Sequence, residues 1–416
     1  MTLDGRRVLY ISYNGMLDPL GQSQVLPYLR ELAKQGVHFT LLSFERASAF
    51  ETDGPDRCAV LKRQLAEANI EWHWLPYHEK PSMPATAYDV IVGTRYAQKL
   101  ARQNKVEMVH ARSHIPATIG LRLKRRLGVK LIFDLRGLMA EEYVDAEHWR
   151  RNGAPYRATK LMERRILSNA DAVVTLTEKI WPIIKDWEGL RNREVVHEVV
   201  PCCADLELFN FKEQDRQQRR AELGLQDRRV LVYSGSIGGW YLADRMADLF
   251  AEIAGQKSNW HFLWLTAGPA DLIRKIMMER NIDSSRYTVR SVASADVPSY
   301  LSASDAGVAF YKPTLPRLAT SPVKLTEYLA CGLPVIINSG IGDSDALVTR
   351  EGAGALVSDF TKAEYAQAGN IIERLVNQAE HTRKLTRSVA EKLFDVRQVG
   401  VQRYGRVYDR LLNGTN

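Results

Sequence analysis

Two successive α/β domains, each a doubly wound parallel sheet with helices on both faces, are what this sequence predicts. Three observations carry that expectation. The chain has 416 residues, more than one ordinary core serves and enough for two domains of roughly 200 residues each. Short, nearly continuous Val/Ile/Leu/Phe runs alternate with longer amphipathic stretches, the pattern of buried parallel strands joined by covering helices. The alternation also comes in two sets, on either side of the polar stretch 202–227, CCADLELFNFKEQDRQQRRAELGLQD, which starts as a connection and ends as a charged helix.

In the first set the predicted strands are Val8–Ser12, Val37–Phe44, Glu71–Tyr77, Met108–Ala111, Val129–Leu135, Asp171–Leu176 and Val195–Pro201. In the second they are Arg229–Ser234, Trp260–Thr266, Tyr287–Val292, Ala306–Phe310, Leu333–Ile337 and Ala355–Val357. Helical spacing fills the gaps, for example at Val25–Gln35, Tyr88–Gln103, Ala154–Asn169 and Ala363–Gln378. The boundary is placed near Ala204, giving domains 1–203 and 204–388. The last segment, 389–416, is helical in pattern but follows the final strand, so it is expected to pack back on the first domain. Open α/β sheets bind ligands at the carboxyl ends of their strands, which makes a cleft between two facing domains the expected site.

Composition narrows the class. With 45% hydrophobic and 25% charged residues, the chain reads as globular rather than disordered or fibrous. No run of 18 uninterrupted apolar residues occurs, which excludes a membrane-spanning helix. The opening MTLDGRRVLYIS runs straight into a strand pattern, so no secretory signal is expected. Cys58, Cys202, Cys203 and Cys331 lack metal-ligand spacing and read as reduced thiols of a cytosolic protein. Residues 1–203 hold 30 basic and 24 acidic residues, six of the eight net positive charges. Arg95, Lys99, Arg102 and Lys105 recur at about one helical turn, and Arg122, Lys124, Arg125 and Arg126 follow. Such clusters are either solvated helix faces or attract an anionic surface or substrate.

Three motifs bear on chemistry. After the first strand, Tyr13-Asn14-Gly15-Met16-Leu17-Asp18-Pro19-Leu20-Gly21-Gln22-Ser23-Gln24 leads into a helix. Its glycines would let backbone N–H groups approach a phosphate at a helix N-terminus, although an ordinary βα turn would read the same. A second glycine turn, Ser234-Gly235-Ser236-Ile237-Gly238-Gly239-Trp240-Tyr241, opens the second domain at the matching place, and the repetition favours phosphate binding over a tight turn. The third is Ser321-Pro322-Val323-Lys324-Leu325-Thr326-Glu327-Tyr328-Leu329-Ala330-Cys331-Gly332-Leu333-Pro334-Val335-Ile336. Ser321 reads as a helix N-cap followed by proline at the first turn. Lys324 and Glu327 then share one face: an exposed ammonium suited to pyrophosphate beside a carboxylate suited to a ribose diol. A plain surface ion pair is the other reading.

This third string resembles the donor-site helix of family 4 retaining glycosyltransferases, which have the GT-B fold. Met16–Gln24, the Tyr233–Tyr241 turn, His110-Ala111-Arg112-Ser113, Phe133-Asp134-Leu135-Arg136-Gly137 and Val200-Pro201-Cys202-Cys203-Ala204-Asp205 are similar to segments of bacterial polysaccharide-type members, in the same order along most of the chain. The resemblance implies that Glu327 holds the ribose of a UDP- or GDP-sugar. It implies that Lys324 and the turn with Ser234, Gly235, Ser236 and Gly238 hold the phosphates, with Leu325 beside them, and that Gly15 and Gly21 approach the distal phosphate. Two departures stand out. Ser236 and Tyr241 occupy places where members often carry Arg and Lys, and Ala319 takes the place of a glutamate that touches the donor sugar. Either Arg317 or Lys324 is expected to supply the missing phosphate charge.

On the first domain, Arg112, His114, Asp134 and Arg136 follow strand ends and are the candidate acceptor contacts, Arg112 and Asp134 with a catalytic role beside Lys324 and Glu327. His110 is expected to be a core histidine. The implied reaction is retaining, with same-face displacement assisted by the leaving diphosphate. It calls for no cofactor, no metal and no nucleic-acid partner. Asp343-Ser344-Asp345 has the spacing of a cation motif but reads more simply as a turn and cap. Trp72 and Trp74 alternate on a strand and are expected in the core. An apolar ridge at Trp181-Pro182-Ile183-Ile184 and the basic helix would permit transient docking on anionic lipid, where a polyprenyl-linked acceptor sits, placing a cytoplasmic protein peripherally at the membrane's inner face. The competing functions are a sugar-nucleotide epimerase of the same fold and a non-catalytic binder of nucleotides or anions.

Overall fold

The computed structural model describes residues 3–51 and 54–414. Its contacts divide the chain into two units: Met1–Pro201 together with Val396–Asn416, and Cys202–Asp395. The thirteen apolar runs are thirteen strands, their ends moved by one or two residues. The first unit contains β1 (Arg7–Ser12), β2 (His38–Glu45), β3 (Ile70–Pro76), β4 (Met108–Arg112), β5 (Lys130–Asp134), β6 (Ala172–Thr175) and β7 (Val196–Val199). The second contains β8 (Arg229–Ser234), β9 (Trp260–Leu265), β10 (Tyr287–Arg290), β11 (Ala306–Ala309), β12 (Val335–Asn338) and β13 (Gly354–Val357).

Both sheets are parallel, in the orders β3-β2-β1-β4-β5-β6-β7 and β10-β9-β8-β11-β12-β13. The second unit shows why the strands read as unbroken apolar runs. Val230 and Val232 of β8, with Leu263 and Leu265 of β9, enter one core cluster. Leu231 and Tyr233, with Phe262 and Trp264, enter another on the opposite face. A period of two with both faces covered favours an apolar residue at nearly every position. Each sheet also has one place where the strand order reverses, between β1 and β4 and between β8 and β11, and loops leaving the carboxyl ends there diverge to leave a crevice.

The terminal segment shows where the chain changes units. The helix Ala379–Phe394 belongs to the second unit: Val389 and Ala390 lie in its core, and the Arg387 guanidinium donates to the carbonyls of Leu206, Phe209 and Ala330. The return to the first unit therefore begins at Val396, not at residue 389. There the helix Gln402–Asn413 is tied to the edge of the sheet by Arg403, donating to Val199 O at 2.6 Å, and by an Arg406–Glu198 ion pair at 2.8 Å.

Candidate functional site

In the second unit the reversal of strand order sets the glycine turn after β8 beside the segment after β11. Gly235 N–H still donates to Leu265 O at 2.9 Å, and then the chain turns with Gly235 at φ 141°. Only glycine adopts that conformation without strain, and a β-carbon there would lie 3.0 Å from Lys324 Cε and Nζ. The Tyr233 hydroxyl donates to Ser236 O at 2.5 Å, and Ser234 N–H donates to the Tyr328 hydroxyl at 2.7 Å. Leu242 N–H donates to Phe310 O and Lys312 N–H to Trp240 O, which fastens the far end of the turn to the chain after β11.

Against this turn lies the helix Val323–Ala330. Pro322, not Ser321, stands at its N-cap, and no side chain caps it. The expected Ser321 cap is diverted: its Oγ accepts from Cys202 N–H at 3.1 Å, while Thr326 Oγ1 donates to Cys202 O at 3.1 Å. Buried linker backbone needs partners, and these two hydroxyls satisfy it. Leu325, counted with the donor residues although its helical spacing also suits the core-facing side, packs into the core with Leu329 and Ala330.

Lys324 is not the exposed ammonium the spacing suggested. It is 8% exposed, with Nζ 3.6 Å from the Tyr241 ring centroid, 5.0 Å from Tyr233 and 5.3 Å from Tyr311. Ring faces attract a cation, yet they do not replace a counter-ion. Burial brings the Lys324 pKa down to about 7, against the smaller opposing pull of Glu327. Burial likewise lifts half-buried Glu327 to about 7, opposed by Lys324. Each is strained toward neutrality and is relieved by a ligand that offers it hydrogen bonds and opposite charge. Arg317 is 4% exposed and stacks 4.5 Å over the Trp240 ring, within the same turn. A cavity of about 230 Å³ bounded by Ile237, Gly238, Tyr241 and Leu272 adjoins the turn.

The first unit's glycine loop departs from expectation. A short helix, Pro19–Gln24, interrupts it, and Gly21 sits buried inside that helix, where a side chain would overlap the Gly15 carbonyl. The expected phosphate cradle is filled from within. Glu45, the last residue of β2, accepts from Met16 N–H at 2.6 Å, from Leu17 N–H at 3.3 Å and from Ser43 Oγ at 2.5 Å. A side chain on Gly15 would collide with that carboxylate. Burial raises the Glu45 pKa, partly offset by these hydrogen bonds. A carboxylate at the end of a buried apolar strand was the signal for this role, since a charge in such a place needs donors.

Arg112 and Asp134 end the adjacent strands β4 and β5 and are paired in register. Asp134 is fully buried, accepting from the Tyr404 hydroxyl at 3.0 Å, with Arg136 at 3.6 Å and His110 Nε2 at 3.5 Å. Burial would raise its pKa, but Arg136, His110 and Arg112 outweigh that and hold the carboxyl well below the usual range. His110, bonded through Nδ1 to the Tyr408 hydroxyl at 2.7 Å, is kept low by burial. The terminal helix thus seats two tyrosines on this cluster, and a direct acceptor contact by Asp134 gives way to a structural one. His114 is likewise buried, its Nε2 3.1 Å from Glu163, which pairs with Lys160; Lys160 in turn lies 3.1 Å from Glu141. Arg112 keeps a buried Nε with no hydrogen-bond partner among the described residues, and Arg136 lies beside the Asp134 carboxylate. Tyr233, Tyr241, Tyr311, Trp240 and Glu45 are the residues that sequence reasoning did not assign to these sites.

Asp345 accepts from Gly340 N–H at 3.2 Å, the turn role expected of it. Trp72 is buried, but Trp74 is 40% exposed. Of the Trp181 ridge, Ile184 is buried and Trp181 stacks on His197 at 3.5 Å, while Pro182 is exposed.

Comparison with known proteins gives two family matches in order along the chain: a glycosyl transferase 4-like domain over residues 21–202 and glycosyl transferases group 1 over residues 228–376. TuaH of Bacillus subtilis, named for glycosyl transfer in teichuronic acid biosynthesis, is 29% identical over 182 residues, 43% of either chain. The alpha-D-kanosaminyltransferase of Streptomyces kanamyceticus is 27% identical over 239 residues, 56% of this chain and 58% of its own. The chain thus spans about half the length of the curated relatives it matches. The crystal structure of Anabaena Alr3699/HepE in complex with UDP superposes with a TM-score of 0.70 at 13% identity, covering 96% of this chain and 99% of the other.

Proposed function

Because the chain belongs to the family 4-type glycosyltransferases of the GT-B fold, we propose that it transfers a sugar from a nucleotide-sugar to a hydroxyl of a glycan or lipid-linked acceptor. The observation that carries this is Lys324: a buried ammonium without an ion-pair partner among the described residues, set against the Gly235 turn and one helical turn before half-buried Glu327. A diphosphate arriving at the turn restores the Lys324 charge, and a ribose diol donates to Glu327.

Transfer needs the diphosphate stabilised as negative charge builds on the leaving oxygen. A fixed cation in a desolvated setting does this without reorganisation, and Arg317 adds a second positive charge at the same turn. The sugar C1–oxygen bond to the phosphate breaks and the acceptor oxygen bonds to C1 on the same face. The acceptor proton passes to the departing phosphate oxygen, so configuration is retained with no protein nucleophile and no metal. Arg112 and Arg136, at the carboxyl edge of the first unit's sheet, are the acceptor-side cations. A UDP complex of a structural neighbour supports a uridine nucleotide, and the name of TuaH, a glycosyltransferase of teichuronic acid biosynthesis, supports a role in polysaccharide biosynthesis.

Incubation with a panel of labelled UDP- and GDP-sugars, with a chelator in one arm, tests this. Transfer of label to an acceptor, undiminished by chelation, is expected. Sugar isomerisation with nucleotide release would establish the epimerase instead, and binding without turnover a non-catalytic role.

A further inference from the structure

The helix Ser82–Gln103 buries Ala85, Asp89, Val90, Gly93, Ala97 and Leu100. A helix that only covers a sheet turns a polar face to water, but this one does not. Met83 is 48% exposed, Tyr88 55% and Ile91 50%. At the same turn spacing, exposed Arg95, Lys99 and Arg102 continue the stripe. The neighbouring helix His114–Leu127 exposes Arg122, Arg125 and Arg126, and Arg126 donates to Gln98 Oε1 at 3.0 Å, which draws its guanidinium to the stripe. Lys124 of that helix is paired with Asp171; the six other cations make no ion pair among the described residues.

A partner for this face must offer negative charge and an apolar phase together. Nucleic acid or a soluble polyanion offers only the first, and leaves three large apolar side chains in water. An anionic bilayer offers both: acyl chains beneath a layer of phosphates. We propose that the first unit docks on an anionic phospholipid surface through this helix. Met83, Tyr88 and Ile91 enter the boundary between headgroups and acyl chains, while Arg95, Lys99 and Arg102, flanked by Arg122 and Arg126, pair with lipid phosphates. The Trp181 segment offers less apolar surface, since Ile184 is buried and Trp181 stacks on His197. The helix starts from the carboxyl end of β3, so its apolar end lies at the sheet edge that also carries Arg112. Nothing in this docking depends on which donor the second unit takes.

Flotation of the full chain with vesicles tests it directly. The chain should float with phosphatidylcholine vesicles carrying about a third phosphatidylglycerol, and not with phosphatidylcholine alone. Neutralising Arg95, Lys99 and Arg102 together to Gln should weaken partitioning about a hundredfold, about fivefold per basic residue. The pair Tyr88→Ser and Ile91→Ser should weaken it as well, while leaving retention on immobilised heparin unchanged. All five positions are exposed, and unfolding midpoints matching the wild type would confirm intact folds. Equal flotation with both vesicle types, no flotation, or an apolar-pair variant that binds like the wild type would overturn the proposal, the last by pointing to a soluble polyanion.

Discussion

Asp134 and Lys324 are both buried charges at the carboxyl edge of a parallel sheet, and the two units treat them in opposite ways. Around Asp134 the chain provides the tyrosine hydroxyl of its own terminal helix, a histidine and two guanidinium groups, and the carboxylate is more firmly ionised than in water. Around Lys324 it provides tyrosine rings and a carboxylate that is itself strained toward neutrality, and the ammonium is driven to about 7. A buried charge that the fold satisfies is part of the fold; one left unsatisfied marks a place for a ligand. Had the two been alike, burial alone could not have separated scaffold from site.

Asp134→Ala should break the comparison first and most severely. Removing the carboxylate leaves Arg112 and Arg136 close together without the charge between them, a loss of about 3–5 kcal/mol. Urea unfolding of the variant should show it as a lowered midpoint at unchanged slope. Lys324→Met and Glu327→Gln should behave the other way round. Each removes a group the fold does not pay to keep ionised, so the unfolding midpoint should hold or rise, while turnover falls by about a hundred- to a thousandfold. A Lys324→Met protein that unfolds early yet turns over normally would reverse the assignment.

Protonation sharpens the same contrast. The folded pKa of Glu327 is raised above its unfolded value, so its contribution to stability is present below 4.5 and lost as pH rises through about 7. Lys324 is depressed, so its contribution is present above 10.5 and lost as pH falls through about 7. Donor binding needs Lys324 protonated and Glu327 ionised. Affinity for UDP, measured by calorimetry, should therefore peak near pH 7 and fall on either side by up to about tenfold per unit. Lys324→Met should flatten the alkaline limb and Glu327→Gln the acid limb. Asp134 titrates far from this range and should impose no limb of its own.

Much of this fold was legible because periodicity is local. Every strand announced itself as an apolar run, and a parallel sheet buried on both faces leaves no other pattern for such runs. The helix bearing Lys324 and Glu327 was legible for the same reason, since three-residue spacing fixes a shared face. What the spacing could not show was the surroundings of that face. Tyr233, Tyr241 and Tyr311 lie 91, 83 and 13 positions from Lys324 along the chain, and only the adjacency of β8 and β11 gathers them around its ammonium. Glu45 fills a cradle whose glycines looked open to phosphate, because β2 lies beside β1. Ser321 looked like a cap until a distant linker needed its oxygen. Each miss follows from a contact between segments remote in sequence, where pattern carries no information.

Arg317 gives the finest test of the comparison, because it is as buried as Arg112 yet lies in the unit with the unsatisfied charge. Its guanidinium stacks on Trp240, at the end of the turn that begins with Gly235. If it serves the ligand, Arg317→Ala should raise the donor KM about tenfold, the worth of one charged hydrogen bond at about 1.5–3 kcal/mol less what solvent returns. Arg317→Lys would keep the charge but lose the planar stack, and should recover part of that affinity. If the residue serves only the turn, both variants should lower the unfolding midpoint, and the shift in KM should follow the loss of stability rather than the presence of positive charge. Kinetics and thermal unfolding on the same two proteins separate these outcomes, and they decide whether the second unit holds one ligand-directed cation or two.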